Sequence, residues 1–104
     1  MLIQEDIQTI TNNIVAASNP LAIYLFGSYA KGMETADSDI DLCLVTESSP
    51  NLVEVRLSLQ SIPKAFDIVA FSQDDFSAQT LIWWSIPAQI QQEGVKLYDR
   101  PAQN

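Results

Sequence analysis

Three aspartates stand out in this chain for where they fall. Asp39 and Asp41 are one residue apart at the start of Asp39-Ile40-Asp41-Leu42-Cys43-Leu44-Val45, and Asp67 interrupts an apolar run from Ala65 to Phe71. Carboxylates gathered on one patch repel one another and lose hydration, which is costly unless a cation compensates them. Oxygen-only ligands without Cys or His select a hard ion, Mg²⁺ or Mn²⁺. Paired metals on aspartates can activate an attacking oxygen and steady a leaving pyrophosphate in an in-line displacement. Gly27-Ser28 offers the matching half of such a site. Glycine lets the backbone approach a phosphate, and Ser28 adds a hydroxyl and an amide at a helix start. Together the residues describe a nucleoside triphosphate site.

The surrounding pattern indicates what holds them. Ile3, Ile7, Ile10 and Ile14 recur at helical spacing and predict a first helix, closed by Asn19-Pro20. Leu21 to Phe26 reads as a buried strand. Ser28 to Lys31 then forms a short helix or turn, with Ser28 as its cap. A polar loop, Met33 to Ser38, leads to a second strand, Asp39 to Val45. There a period of two puts Asp39, Asp41 and Cys43 on one face and Ile40, Leu42 and Leu44 on the other. Ser49-Pro50 opens a helix striped by Leu52, Val55, Leu59 and Ile62. Pro63-Lys64 ends it before a third strand, Ala65 to Phe71. The chain is then helical in tendency through Trp83-Trp84, with at least one tryptophan in the core. A last helix, Ile86 to Glu93, takes Ser85 as cap, and Gly94 stops it before a short edge strand, Val95 to Tyr98.

If Gly27-Ser28 must meet Asp39, the first two strands run antiparallel, as their short connection allows. The helix between the second and third strands predicts a parallel pair. The expected fold is therefore α/β (α+β), a small mixed sheet with helices packed on it. Residues 1–98 form the domain and 99–104 a flexible tail.

Composition narrows the classes. The chain has 104 residues, 47% hydrophobic and 17% charged, which suits one compact domain. Thirteen acidic against 5 basic residues leave a net charge of −8, poorly suited to direct nucleic-acid binding. There is no histidine, so zinc and imidazole-base mechanisms are disfavoured, and the single Cys43 reads as small core filling. Neither a signal peptide nor a membrane span is evident, and a cytoplasmic protein is expected.

Blander readings exist for each residue. Gly27-Ser28 could be a strand end and helix cap, and Asp39 and Asp41 a solvated strand edge. Asp67 resists that treatment, since a charge breaks an apolar run. Two rival motifs fail. Asp37, Asp39 and Asp41 mimic the start of a calcium-binding EF-hand loop, but Leu42 replaces its glycine and Ser48 its terminal glutamate. Gly27 to Gly32 has P-loop glycine spacing, yet Met33 and Glu34 stand where Lys and Ser/Thr belong.

Gly27-Ser28-Tyr29-Ala30-Lys31-Gly32 followed by Ser38-Asp39-Ile40-Asp41-Leu42 resembles the signature of the DNA polymerase β-like nucleotidyltransferase superfamily. Asp67 in Phe66-Asp67-Ile68-Val69 resembles its third acid. The ending Glu93-Gly94-Val95-Lys96-Leu97-Tyr98 and the short length resemble the minimal branch, the MntA-type antitoxins. The resemblance implies that Asp39 and Asp41 coordinate Mg²⁺, or Mn²⁺, and that Asp67 binds a second metal or accepts a proton. It implies that Gly27 and Ser28 hold the phosphates of ATP, with Lys31 beside them where the branch often has arginine. Many members silence a HEPN-domain toxin by transferring AMP to one of its tyrosines. The resemblance thus implies an enzyme with ATP as substrate and a HEPN toxin as partner. Two alternatives stay open: an antitoxin that acts by binding alone, and a transferase for a small molecule of the aminoglycoside type.

Overall fold

The computed structural model describes Leu2, residues 4–48 and residues 51–101. Helix α1 (Gln4–Ser18) carries Glu5 and Asp6 in its first turn, where the helix dipole favours acids. Ile10 and Ile14 are fully buried, and Ile3 of the expected stripe lies outside the described residues. Asn19 adopts a left-handed φ of 46° and its N–H donates to the Val15 carbonyl at 2.9 Å. That closes the helix as an asparagine cap should, and Pro20 prevents its resumption.

Four strands follow, β1 (Ala22–Phe26), β2 (Ile40–Thr46), β3 (Phe66–Ser72) and β4 (Val95–Asp99), in the spatial order β3-β2-β1-β4. Strand β1 pairs antiparallel with β2, from Ala22 opposite Val45 to Phe26 opposite Asp41. Strand β2 pairs parallel with β3, from Ile40 opposite Phe66 to Thr46 opposite Ser72. Strand β4 runs antiparallel to β1 at the edge. The mixed sheet expected from the sequence is therefore present, with the expected strand directions.

The two faces divide cleanly. Ile23, Leu25, Ile40, Leu42, Leu44 and Ile68 form one core with Ile10 and Ile14 of α1 and with Val55 and Leu59. Each such side chain contributes about 1.5–3 kcal/mol by leaving water. Val55 belongs to α3 (Leu52–Ser58), whose cap is Asn51, its side chain accepting from the Val53 and Glu54 amides. The Ser49-Pro50 start lies outside the described residues. This helix is shorter than its apolar stripe implies. After Ser58 the chain makes tight turns, Leu59 N–H to Arg56 and Ile62 N–H to Leu59, that still deliver Leu59 to the core.

On the opposite face Phe26, Cys43 and Ile90 are buried with Tyr24, Val69, Phe71, Phe76 and Ile86. Helices α4 (Gln73–Gln79) and α5 (Ile86–Glu93) supply the cover. The Phe76 ring stacks on Tyr24 at 5.5 Å and meets Phe71 edge-on at 6.3 Å.

Two expectations need correction. Helix does not continue to Trp83-Trp84: α4 ends at Gln79, and residues 80–85 are turns. Neither tryptophan is core, for Trp83 is 84% and Trp84 70% exposed. Ser85 is the reason. Its buried hydroxyl donates to the Gln79 carbonyl at 2.6 Å and accepts from the Ala88 amide at 3.1 Å, which ties the ends of the loop together and turns its centre outward. At the C-terminal end, β4 includes Asp99, and the Arg100 N–H donates to Leu21 at 2.8 Å. The Arg100 guanidinium reaches Glu47 and the Asn19 carbonyl. Residues 102–104 lie outside the described residues. Among the described residues no helix is long and apolar enough to cross a membrane.

Candidate active site

Sheet register brings the acids together. Asp41 sits opposite Phe26 on β1 and opposite Asp67 on β3, so Phe26, Asp41 and Asp67 form one row across three strands. Directly paired residues share a face, and this is the face that α4 and α5 cover further along. Its apolar part, Tyr24, Cys43, Val69 and Phe71, lies under the two helices. The end bearing the acids stays open: Asp67 is exposed and Asp41 half-buried.

Asp39 precedes β2 rather than opening it, because pairing begins at Ile40, whose N–H donates to Ala65 at 2.9 Å. A small turn sets its approach, with Ser38 Oγ accepting from the Thr35 amide at 2.8 Å and the Ser38 N–H donating to Thr35 at 3.1 Å. Asp39 is exposed, yet close enough to act on Asp41. Burial, then the Asp67 charge, then the Asp39 charge raise the Asp41 pKa above the usual carboxylate value. Both neighbouring carboxylates therefore act on Asp41.

Gly27 has a specific physical role here. Its φ of +72° is left-handed, and a Cβ built on it would stand 2.1 Å from Asp41 Oδ2. Two independent reasons thus require glycine. The sequence reading assigned it to backbone approach toward a phosphate; in the structure the group it approaches is the Asp41 carboxylate. Gly27 is the first residue of helix α2 (Gly27–Lys31), which is closed by Gly32, φ +70°, whose N–H donates to Ser28. The helix has Phe26 in the cap position and no side-chain cap bond, which corrects the expectation that Ser28 caps it. Ser28 lies inside this single turn, directly after the residue packed on Asp41.

Lys31, at the other end of α2, bonds to Glu93 of α5 at 3.0 Å, both side chains being part-exposed. Glu93 was missed as a site neighbour. Its only sequence signal is its position at the end of α5, just before Gly94. Cys43 is fully buried and its thiol is pushed up to about 12 by burial, which fits core filling and not reactivity.

The donor chemistry of Asp39, Asp41 and Asp67 suits a hard divalent cation, and the Asp41 pKa is raised by burial first and then by the charges of Asp67 and Asp39. Among the described residues, however, no three Asp, Glu, Cys or His side chains already stand as a metal-binding group. A cavity of about 620 Å³ lies elsewhere, towards the end of β1 away from Gly27, lined by Leu21, Ala22, Val45, Phe76, Lys96 and Arg100 among others.

At the open end of the mixed sheet, a left-handed glycine is packed on Asp41, with Asp67 paired beside it and Asp39 two residues before it. The family model "Polymerase beta, Nucleotidyltransferase" matches residues 8–103, and the chain belongs to that family. No curated protein matches it. Among solved structures, it resembles a toxin–antitoxin crystallised with AMP-PNP, at 22% identity and a TM-score of 0.68, over 91% of this chain and 74% of that one. It also resembles a mutant of the toxin–antitoxin MntA–HpeT, at 19% identity and a TM-score of 0.63, over 95% and 75% of the two chains. A candidate nucleotidyltransferase from Sulfolobus solfataricus aligns at 18% identity and a TM-score of 0.55, over 90% and 78%. These likenesses establish the shared fold.

Proposed function

We propose that this domain transfers AMP from ATP to a hydroxyl of a partner protein, and that it is the antitoxin of a toxin–antitoxin pair. The partner is a HEPN-domain toxin and the acceptor one of its tyrosines. The observation that carries the reading is the Asp41–Asp67 cross-strand pair with Gly27 packed on Asp41, in a chain of this family. The AMP-PNP and toxin of the similar complexes support the choice of nucleotide and partner.

In this reading the acceptor oxygen bonds to the α-phosphorus of ATP as the bond from that phosphorus to the bridging oxygen breaks, releasing pyrophosphate. Asp67, more exposed than Asp41, takes the hydroxyl proton or shares in holding a cation. Asp39, Asp41 and Asp67 are the residues that would hold Mg²⁺, or Mn²⁺ in its place. When bound, the ion would neutralise charge developing on the phosphates. Gly27 and Ser28 lie beside Asp41 and would receive the phosphates, with the Lys31 ammonium at the far end of α2.

The test combines α-labelled ATP, Mg²⁺ and the protein encoded by the neighbouring reading frame, expected to be a HEPN-domain toxin. Label should appear on that protein, vanish with a chelator, and be lost with Asp41→Asn. Equal neutralisation of the toxin by wild type and Asp41→Asn would overturn the enzymatic account in favour of binding alone. Label on an aminoglycoside but not on the protein would replace the acceptor.

A further inference from the structure

The strongest feature left unused by the site is the loop after α4. Leu81, Ile82, Trp83 and Trp84 are consecutive, and they are 89%, 37%, 84% and 70% exposed. The two tryptophans alone present on the order of 300 Å² of aromatic surface to water. That matches the largest apolar patch of an ordinary monomer, which is often functional. The loop is also held in place. Leu81 N–H donates to Ala78, Ile82 N–H to Gln79 and Ser85 N–H to Ile82, and the buried Ser85 hydroxyl closes it onto Gln79. Aromatic side chains on a pre-formed loop bind with little ordering cost.

We infer that the Leu81–Trp84 loop is the docking surface for the acceptor protein, and that it enters an apolar groove within a basic surface on that protein. The inference rests on the proposed transfer to a protein hydroxyl. Three observations select this occupant. The loop joins the two helices that pack on the acid-bearing face of the sheet, so a partner seated on it lies on the side where its hydroxyl must be presented. No charged residue occurs between Asp75 and Glu93, so the loop can enter an apolar groove without burying a charge. The chain as a whole carries −8, which attracts a basic partner and opposes pairing with a second copy.

The test uses Trp83→Ser, Trp84→Ser and the double variant; exposure of both residues means each should fold and unfold as wild type does. Affinity for the proposed acceptor protein, measured by calorimetry, should weaken by at least roughly tenfold in the double variant. Transfer to that protein should fall in KM more than in kcat, while ATP binding to the isolated domain stays unchanged. Wild-type affinity and KM in the double variant would overturn the docking assignment while leaving the transferase reading intact. Trp-dependent binding without label transfer would instead sink the transferase reading and keep the surface. Sedimentation showing a wild-type dimer that the double variant abolishes would assign the loop to self-association and overturn the inference.

Discussion

At the scale of single residues, the candidate site is shaped by the close contact of Gly27 with Asp41. Gly27 accepts a left-handed φ and leaves room for Asp41 Oδ2, which a Cβ would meet at 2.1 Å. The backbone conformation alone costs an ordinary residue about 1–2 kcal/mol. Gly27→Ala should therefore destabilise by more than that, because the carboxylate or the α2 turn must also shift. In an Asp41→Gly background the steric part disappears. The cost of Gly27→Ala should then fall to about the backbone value, a non-additivity that urea titration of the four proteins in the cycle would measure. Full additivity would mean that the two residues do not touch. The glycine was legible as special from the sequence, but its reason was not. Nothing local to Gly27-Ser28 says that a side chain fourteen residues on will occupy the missing Cβ position.

At the scale of elements, the helices and strands were largely readable, and the exceptions have local causes. Alternation along Ile40 to Val45 and the apolar run at β3 predicted strands because burial on two faces demands such patterns. The stretch from Gln73 to Trp84 misled because its apolar residues suit a helix, while a serine hydroxyl decided otherwise. Ser85 both caps α5 and bonds to the last residue of α4. Ser85→Ala should cost about 1–2 kcal/mol, the loss of a cap in a buried setting. It should also speed hydrogen exchange at Leu81 to Trp84. A stability loss without faster exchange in the loop would show that Ser85 serves only α5. Lys31 gives a second lesson at this scale. The resemblance implied an ammonium beside the phosphates, but only packing of α5 beside α2 revealed Glu93 as its ionic neighbour.

At the scale of the whole molecule, the acid cluster sets stability against charge. The Asp41 pKa is raised in the folded protein, by burial and then by Asp67 and Asp39. The folded state therefore holds this proton more tightly than the unfolded chain does. The contribution is stabilising below the ordinary carboxylate value and is lost as pH rises through the raised one. At neutral pH a charged Asp41 opposes folding. Asp41→Asn should thus leave metal-free stability almost unchanged at acid pH and exceed wild type increasingly as pH rises, levelling off once wild-type Asp41 is ionised. Thermal unfolding of both proteins across that range would check it. A variant no more stable than wild type at neutral pH would remove the electrostatic cost from the account.

By itself the sequence singled out the residues of the candidate site, placed Asp41 and Asp67 on strands, and indicated the direction of the strands that hold them. These follow from periodicity, turn residues and the improbability of a charge in an apolar run, all of which are local. Tertiary structure decided what pairs across strands and between helices. It set Asp41 against Asp67 and Gly27, tied Lys31 to Glu93, and turned Trp83 and Trp84 outward. Each of those outcomes depends on register or packing between segments distant in the chain, which no local pattern of residues encodes.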